Sequence, residues 1–163
     1  MAKKSANYFT HGEANWGKVV RTHTPGGSHL TFEIVLRQGP RLYVLRRPEG
    51  LHEGPKNALY FVHGRPRFGE TLMDSVSRLV KEQSGFEVKS TSLLGLESWV
   101  DGVKHWHLCL NVVAEVRGSP RPPQDVSEVV PITKNQIPRE APEAGGLAWW
   151  APADVAVLFE TSH

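Results

Sequence analysis

Residues 64–86 read GRPRFGETLMDSVSRLVKEQSGF, and the rest of the chain is organised around this stretch. Gly64 and Gly69 bracket a loop, Glu70 begins a predicted helix, and Gly85 stands where a glycine releases the chain in a left-handed conformation. Leu72, Val76, Leu79 and Val80 recur at helical spacing and supply a stripe for burial. Asp74, Arg78 and Glu82 fall four apart on a neighbouring face. The plainest reading of that ladder of acid, base and acid is a solvated face whose ion pairs contribute about 0.2–0.5 kcal/mol each.

Working outward toward the N-terminus, alternation over residues 30–36 predicts a half-buried strand, which Gln38-Gly39-Pro40 turns into a second strand over 42–45. Residues 48–57 are dense in Pro, Gly and charge and read as an exposed loop. A short strand over 58–62 then delivers the chain into the loop and helix. Further back, residues 1–15 are polar and aperiodic and read as a flexible segment, with a first short strand over 16–22 closed by a turn at 24–27. Beyond the helix, strands are expected over 86–88, 93–100 and 103–116, with Asp101-Gly102 separating the last two. Residues 119–146 carry Pro and Glu with little periodicity and read as a long surface loop. A final short strand over 147–150 and a helix over 153–159, started by Pro152, close the chain. The expectation is one domain over 16–163, preceded by the segment 1–15.

The net charge of +2 is interspersed rather than blocked, which argues against a nucleic-acid polymer as partner. Arg41, Arg46, Arg47, Arg65 and Arg67 instead suit a small phosphorylated ligand. Cys109 is the only cysteine, so an intramolecular disulfide and a cysteine-rich metal site are excluded, and core packing is its expected role. The first residues lack the apolar core of a signal peptide, and no segment approaches about eighteen consecutive apolar residues. A cytoplasmic protein with no membrane partner is expected; a homodimer is left open.

The stretch 64–86 resembles the signature of the Nudix hydrolases, G-x5-E-x7-R-E-U-x-E-E-x-G-U with U bulky and apolar. Gly64, Glu70, Arg78, Val80, Glu82, Gly85 and Phe86 match, seven of nine specified positions, and Leu79 and Gln83 replace two of the three helix glutamates. Tyr43 to Arg47 looks like the strand and arginine before the family's variable loop, and the Trp149 to Asp154 run like its closing turn. The resemblance implies an α+β fold, a Nudix-like α/β/α sandwich with a mixed sheet and a loop-helix-loop box. It implies metal-dependent cleavage of a nucleoside diphosphate linked to another moiety, with Mg²⁺ or Mn²⁺ as cofactor. The alternative is a catalytically inactive Nudix-fold module that binds nucleotides or regulates.

In the reading the resemblance implies, Glu82 and Arg78 are the catalytic candidates and Glu82 is the metal ligand, with Gln83, Glu128 or Glu143 as candidate second ligand. Arg46, Arg47, His63, Gly64 and Arg65 are substrate-binding candidates, and Gly64, Glu70 and Gly85 are structural. Leu79 offers no donor atom and Gln83 only a neutral carbonyl oxygen, so the box has lost two formal charges that hard cations use. Glu97, Asp125 and Glu140 are further carboxylates near the family's compensating region. His105 and His107 share one strand face, which suits a metal pair, yet no third ligand has recognisable spacing and packing is the expected role. Trp99, Trp106, Trp149 and Trp150 are expected to pack.

Overall fold

The computed structural model describes residues 28–46, 57–67, 69–100, 104–121 and 128–160. The expected features at 1–15, 16–22 and 24–27, Arg47, Asp125 and all but the end of the 48–57 loop lie outside the described residues. The elements are β1 (Ser28–Gln38), β2 (Arg41–Arg46), β3 (Leu59–Tyr60), β4 (Val62–Gly64), α1 (Leu72–Ser84), β5 (Glu87–Val100), β6 (Trp106–Arg117), β7 (Glu128–Ile132) and α2 (Pro152–Leu158). No helix among the described residues is long and apolar enough to cross a membrane.

The hairpin forms as its alternation requires, with Gln38 opposite Arg41 across the two-residue turn. Through β1 the sheet is mixed: β2 and β4 pair with it antiparallel, and β6 pairs with it parallel from Ser28↔Trp106 to Arg37↔Glu115. Strand alternation then divides the residues. Phe32, Ile34 and Leu36 of β1, with Val112, Ala114 and Val116 of β6, face α1 and enclose Val76, Leu79 and Val80. Val35, Val113, Leu42 and Val44 face the other way and pack with Val155 and Leu158 of α2. The expected sandwich is therefore present, one helix on each face of a mixed sheet. The Arg37 guanidinium donates to the Leu158 carbonyl and fixes the end of α2 to β1.

Several elements differ from the sequence reading, and the strand expected over 58–62 is divided at Phe61 into β3, which pairs with β2, and β4, which pairs with β1. The segments 86–88 and 93–100 form one strand, β5, because register shifts between Val88 and Ser90 and between Leu93 and Gly95 absorb the breaks in alternation. Residues 128–132 leave the expected surface loop to form β7 on the free edge of β2, with Val130 opposite Val44. Residues 147–150 make a single bridge, Leu59↔Leu147, where a strand was expected.

Helix α1 starts two residues later than the sequence implies. Thr71 is the N-cap, its hydroxyl accepting from the Asp74 amide while the Asp74 carboxylate accepts from the Thr71 amide. Gly85 ends the helix at φ 76° and donates to the Lys81 carbonyl. A side chain at Gly85 would also meet the Arg121 backbone, with its Cβ 2.5 Å from the carbonyl oxygen, whereas Gly69, at φ +85°, faces open space. Gly85→Ala is therefore expected to lower stability by about 1–2 kcal/mol or more, and Gly69→Ala by less. Urea unfolding would register this as a lower midpoint at unchanged slope.

Candidate functional site

Within the box, Glu70 organises the loop. Its carboxylate accepts from Arg78 Nε at 2.6 Å and Nη2 at 2.8 Å, from the Arg67 amide at 2.7 Å and from the Ser75 hydroxyl at 2.8 Å. Arg78 also donates to the Arg65 carbonyl at 3.0 Å, so the fork pins the loop to the helix. The Arg78 guanidinium, followed by the Arg67 amide, holds Glu70 down to about 2 from an ordinary 4.5. Glu70 in turn raises Arg78.

The ladder expected on the helix face is only half present. Arg78 donates to Glu82 at 3.1 Å, but Asp74 is occupied in the cap. Glu82 also receives Arg67 at 3.0 Å and so lies between two guanidinium groups. Gln83 donates to the His63 carbonyl at 2.6 Å and accepts from the His63 amide at 3.3 Å, which bolts the helix to β4. Leu79 is buried, and its methyl groups fill the space that a side chain at Gly64 would need.

The box thus offers a hard cation one carboxylate already flanked by two arginines, a side-chain amide engaged at both ends, and a hydrocarbon. This donor set does not fit a cluster of Mg²⁺ or Mn²⁺ ions. Glu128 pairs instead with Arg46 at 3.3 Å across β7 and β2, and Glu143 lies in a short 3-10 turn (Pro142–Ala144).

On the opposite face of the sheet lies a cleft of about 880 Å³. Register builds it row by row. Trp99, His107 and His29 stand side by side across β5, β6 and β1, then Glu97, Cys109 and Thr31, then Gly95, Asn111, Glu33 and His63 on β4. Arg65, His105, Trp149, Trp150 and Asp154 complete the walls. His63 Nδ1 lies 2.6 Å from Glu33 Oε1, a partly buried pair. Arg65 donates to His29 Nδ1 at 3.2 Å. Burial pushes the Cys109 thiol up, so it stays protonated and acts as the packing residue that was expected.

Two of the four tryptophans, Trp99 and Trp149, depart from the packing expected of them. Trp150 does pack, against Phe61. Trp149 is 55% exposed and Trp99 43% exposed, and both border the cleft. Trp149 adopts φ 65°, a conformation costly for a bulky residue, and is held there against Tyr60 and His63. Trp99 stacks on His107 with centroids 5.0 Å apart.

His29 is the residue that sequence reasoning missed. His105 precedes β6 and lines the cleft with His107, and the parallel partner strand places His29 directly beside His107. The one available signal was alternation continuing from Glu33 and Thr31 back to His29, which marks the face without marking the neighbour.

Comparison with known proteins gives the fold. A NUDIX hydrolase from Nitrosomonas europaea superposes with a TM-score of 0.61 at 16% identity, over 78% of this chain and 86% of that one. A MutT NUDIX hydrolase from Burkholderia pseudomallei gives 0.59 at 15% identity, over 72% and 92%. No protein-family model and no curated protein matches the sequence. The chain has the Nudix fold.

Two outcomes follow from the box geometry. Because Glu70 is depressed in the folded state, its contribution to stability is full above pH 4.5 and is lost as pH falls toward about 2. Acid unfolding followed by circular dichroism should therefore be less steep across that window in Glu70→Gln, which begins less stable. Leu79→Glu, which rewrites the box toward the signature, should destabilise by about 3 kcal/mol or more, because it places a carboxylate in the apolar contact beneath Gly64. A denaturation midpoint equal to that of the unaltered protein would contradict this.

Proposed function

We propose that the protein binds a small, phosphorylated, ring-bearing ligand of nucleotide type in the cleft, and that the box helix acts as a scaffold for the sheet beneath it. The observation that carries the reading is the division of labour between the two faces. The carboxylates of the box are neutralised by Arg67 and Arg78, while the opposite face presents exposed aromatic surfaces beside a cationic group. Trp149 and Trp99 are suited to stacking on a planar base, a contact worth about 1–3 kcal/mol. Arg65 supplies the charge-assisted donor that a phosphate takes. Arg46, by contrast, is engaged with Glu128 and the Asn57 carbonyl.

A second reading, metal-dependent hydrolysis of a nucleoside diphosphate linked to another moiety, draws on the retained frame of Gly64, Glu70, Arg78, Glu82 and Gly85. Calorimetry with a panel of nucleoside diphosphate compounds, paired with phosphorus NMR of the same mixtures, separates the two. The proposal expects heat of binding, an unchanged ligand spectrum with Mg²⁺ or Mn²⁺ present, and affinity reduced roughly tenfold in Trp149→Ala. Turnover with either cation that disappears in Glu82→Gln would overturn it in favour of hydrolysis at the box.

A further inference from the structure

His29, His105 and His107 bring their ring nitrogens within 4.8 Å of one another, the one such group of metal-binding side chains among the described residues. All four histidines among the described residues line the cleft, and the fourth, His63, is paired with Glu33. We propose that the first three form a binding site for one zinc ion, separate from the box and independent of how the box functions.

The ring nitrogens already lie near one another. Nitrogens around a tetrahedral zinc at about 2.0–2.1 Å stand roughly 3.4 Å apart. The widest separation of 4.8 Å therefore closes by about 1.4 Å, within reach of small rotations of half-buried rings. The rings lie together: His29 stacks on His105 at 4.7 Å and meets His107 edge-on at 4.9 Å, and His105 and His107 lie edge-on at 6.4 Å, so one ring of the stacked pair must turn for both to present a nitrogen to the same ion. Adjacent strands fix two of the ligands in register, and His105, the residue before β6, joins them in the cleft.

Metal ligation and the Arg65 contact are alternatives at His29. A guanidinium has only donors to offer, so in this contact Nδ1 of His29 is the acceptor and its lone pair is taken. A metal bound at Nδ1 displaces Arg65, and one bound at Nε2 moves the ring proton to Nδ1 and breaks the same contact, so zinc binding releases Arg65 from His29. Glu97 and Glu33 line the same cleft and offset the charge of an added cation. Stacking of Trp99 on His107 limits the freedom of that ring. Three imidazoles select a borderline first-row metal over Mg²⁺ or Mn²⁺. Three protein ligands also leave the fourth position open, the arrangement of catalytic zinc sites rather than structural ones.

The test uses the full chain, stripped with chelator, titrated with Zn²⁺ by calorimetry and with Co²⁺ by visible absorption. The expected result is one equivalent bound, a tetrahedral cobalt spectrum that Zn²⁺ bleaches, and no displacement by excess Mg²⁺. His29→Gln, His105→Gln and His107→Gln should each weaken Zn²⁺ on the order of 100-fold or more, while circular dichroism shows the fold retained. If one variant fails to fold, the other two carry the test. Failure to bind Zn²⁺, or binding at full strength in folded variants because it comes from histidines elsewhere in the chain, would overturn the site.

Discussion

The parallel pairing of β1 with β6 is the constraint on which the rest of the structure depends. It joins residues far apart in sequence over a continuous register from Ser28↔Trp106 to Arg37↔Glu115. Both faces of that ribbon are specified. One carries Phe32, Ile34, Val112 and Ala114 into the core beneath α1, and the other carries His29, Glu33, His107 and Asn111 into the cleft. A slip of one residue in β1 would exchange its two sets, burying an imidazole and a carboxylate and exposing aromatic and branched side chains. The cleft therefore inherits its geometry from the same alternation that stabilises the core.

The box persists without its full set of carboxylates because most of what remains of it is structural. Arg78 holds Glu70 and the Arg65 carbonyl at once, fixing the loop to the helix it precedes. Gly64 admits Leu79, and Gln83 exchanges two hydrogen bonds with the β4 backbone. At each altered position the new side chain suits a packed helix better than a charge would. Burying a leucine contributes about 1.5–3 kcal/mol, and a neutral amide closes two backbone bonds without the repulsion of a third neighbouring acid. Leu79 and Gln83 thus both serve to attach α1 to the sheet.

The fold was legible where its signals are local. The hairpin, α1 with its terminal glycine and the short helix after Pro152 each follow from periodicity and punctuation within a few residues. β7 was not legible, because Glu128–Ile132 is too short and too flanked by proline to show alternation, and its strand character comes from the edge of β2. The bulges in β5 hid one long strand as two short ones. Much the same division applies to the candidate site. Alternation placed His105 with His107, but nothing local states that β1 lies parallel beside β6, so His29 had no visible partner. Trp149 was equally opaque, since its exposure rests on a positive φ held by Tyr60 and His63.

The two faces of the sheet differ in the electrostatics they offer a bound ion. Carboxylate ligands neutralise a cation as they hold it, and at the box the remaining carboxylate is already neutralised by Arg67 and Arg78. Neutral imidazoles take no charge from a bound metal, so an ion held by His29, His105 and His107 would be offset only by the nearby Glu33 and Glu97 and would keep an open position for a further ligand. Arg65 lines the same cleft and adds a positive charge there. Trp99 and Trp149 border it with apolar surface that lowers the local dielectric and strengthens each of these attractions. On the proposed reading, a ligand with a planar ring and a phosphate would meet the exposed tryptophans and Arg65 on this face, whereas the Glu82 carboxylate of the box is held by Arg67 and Arg78.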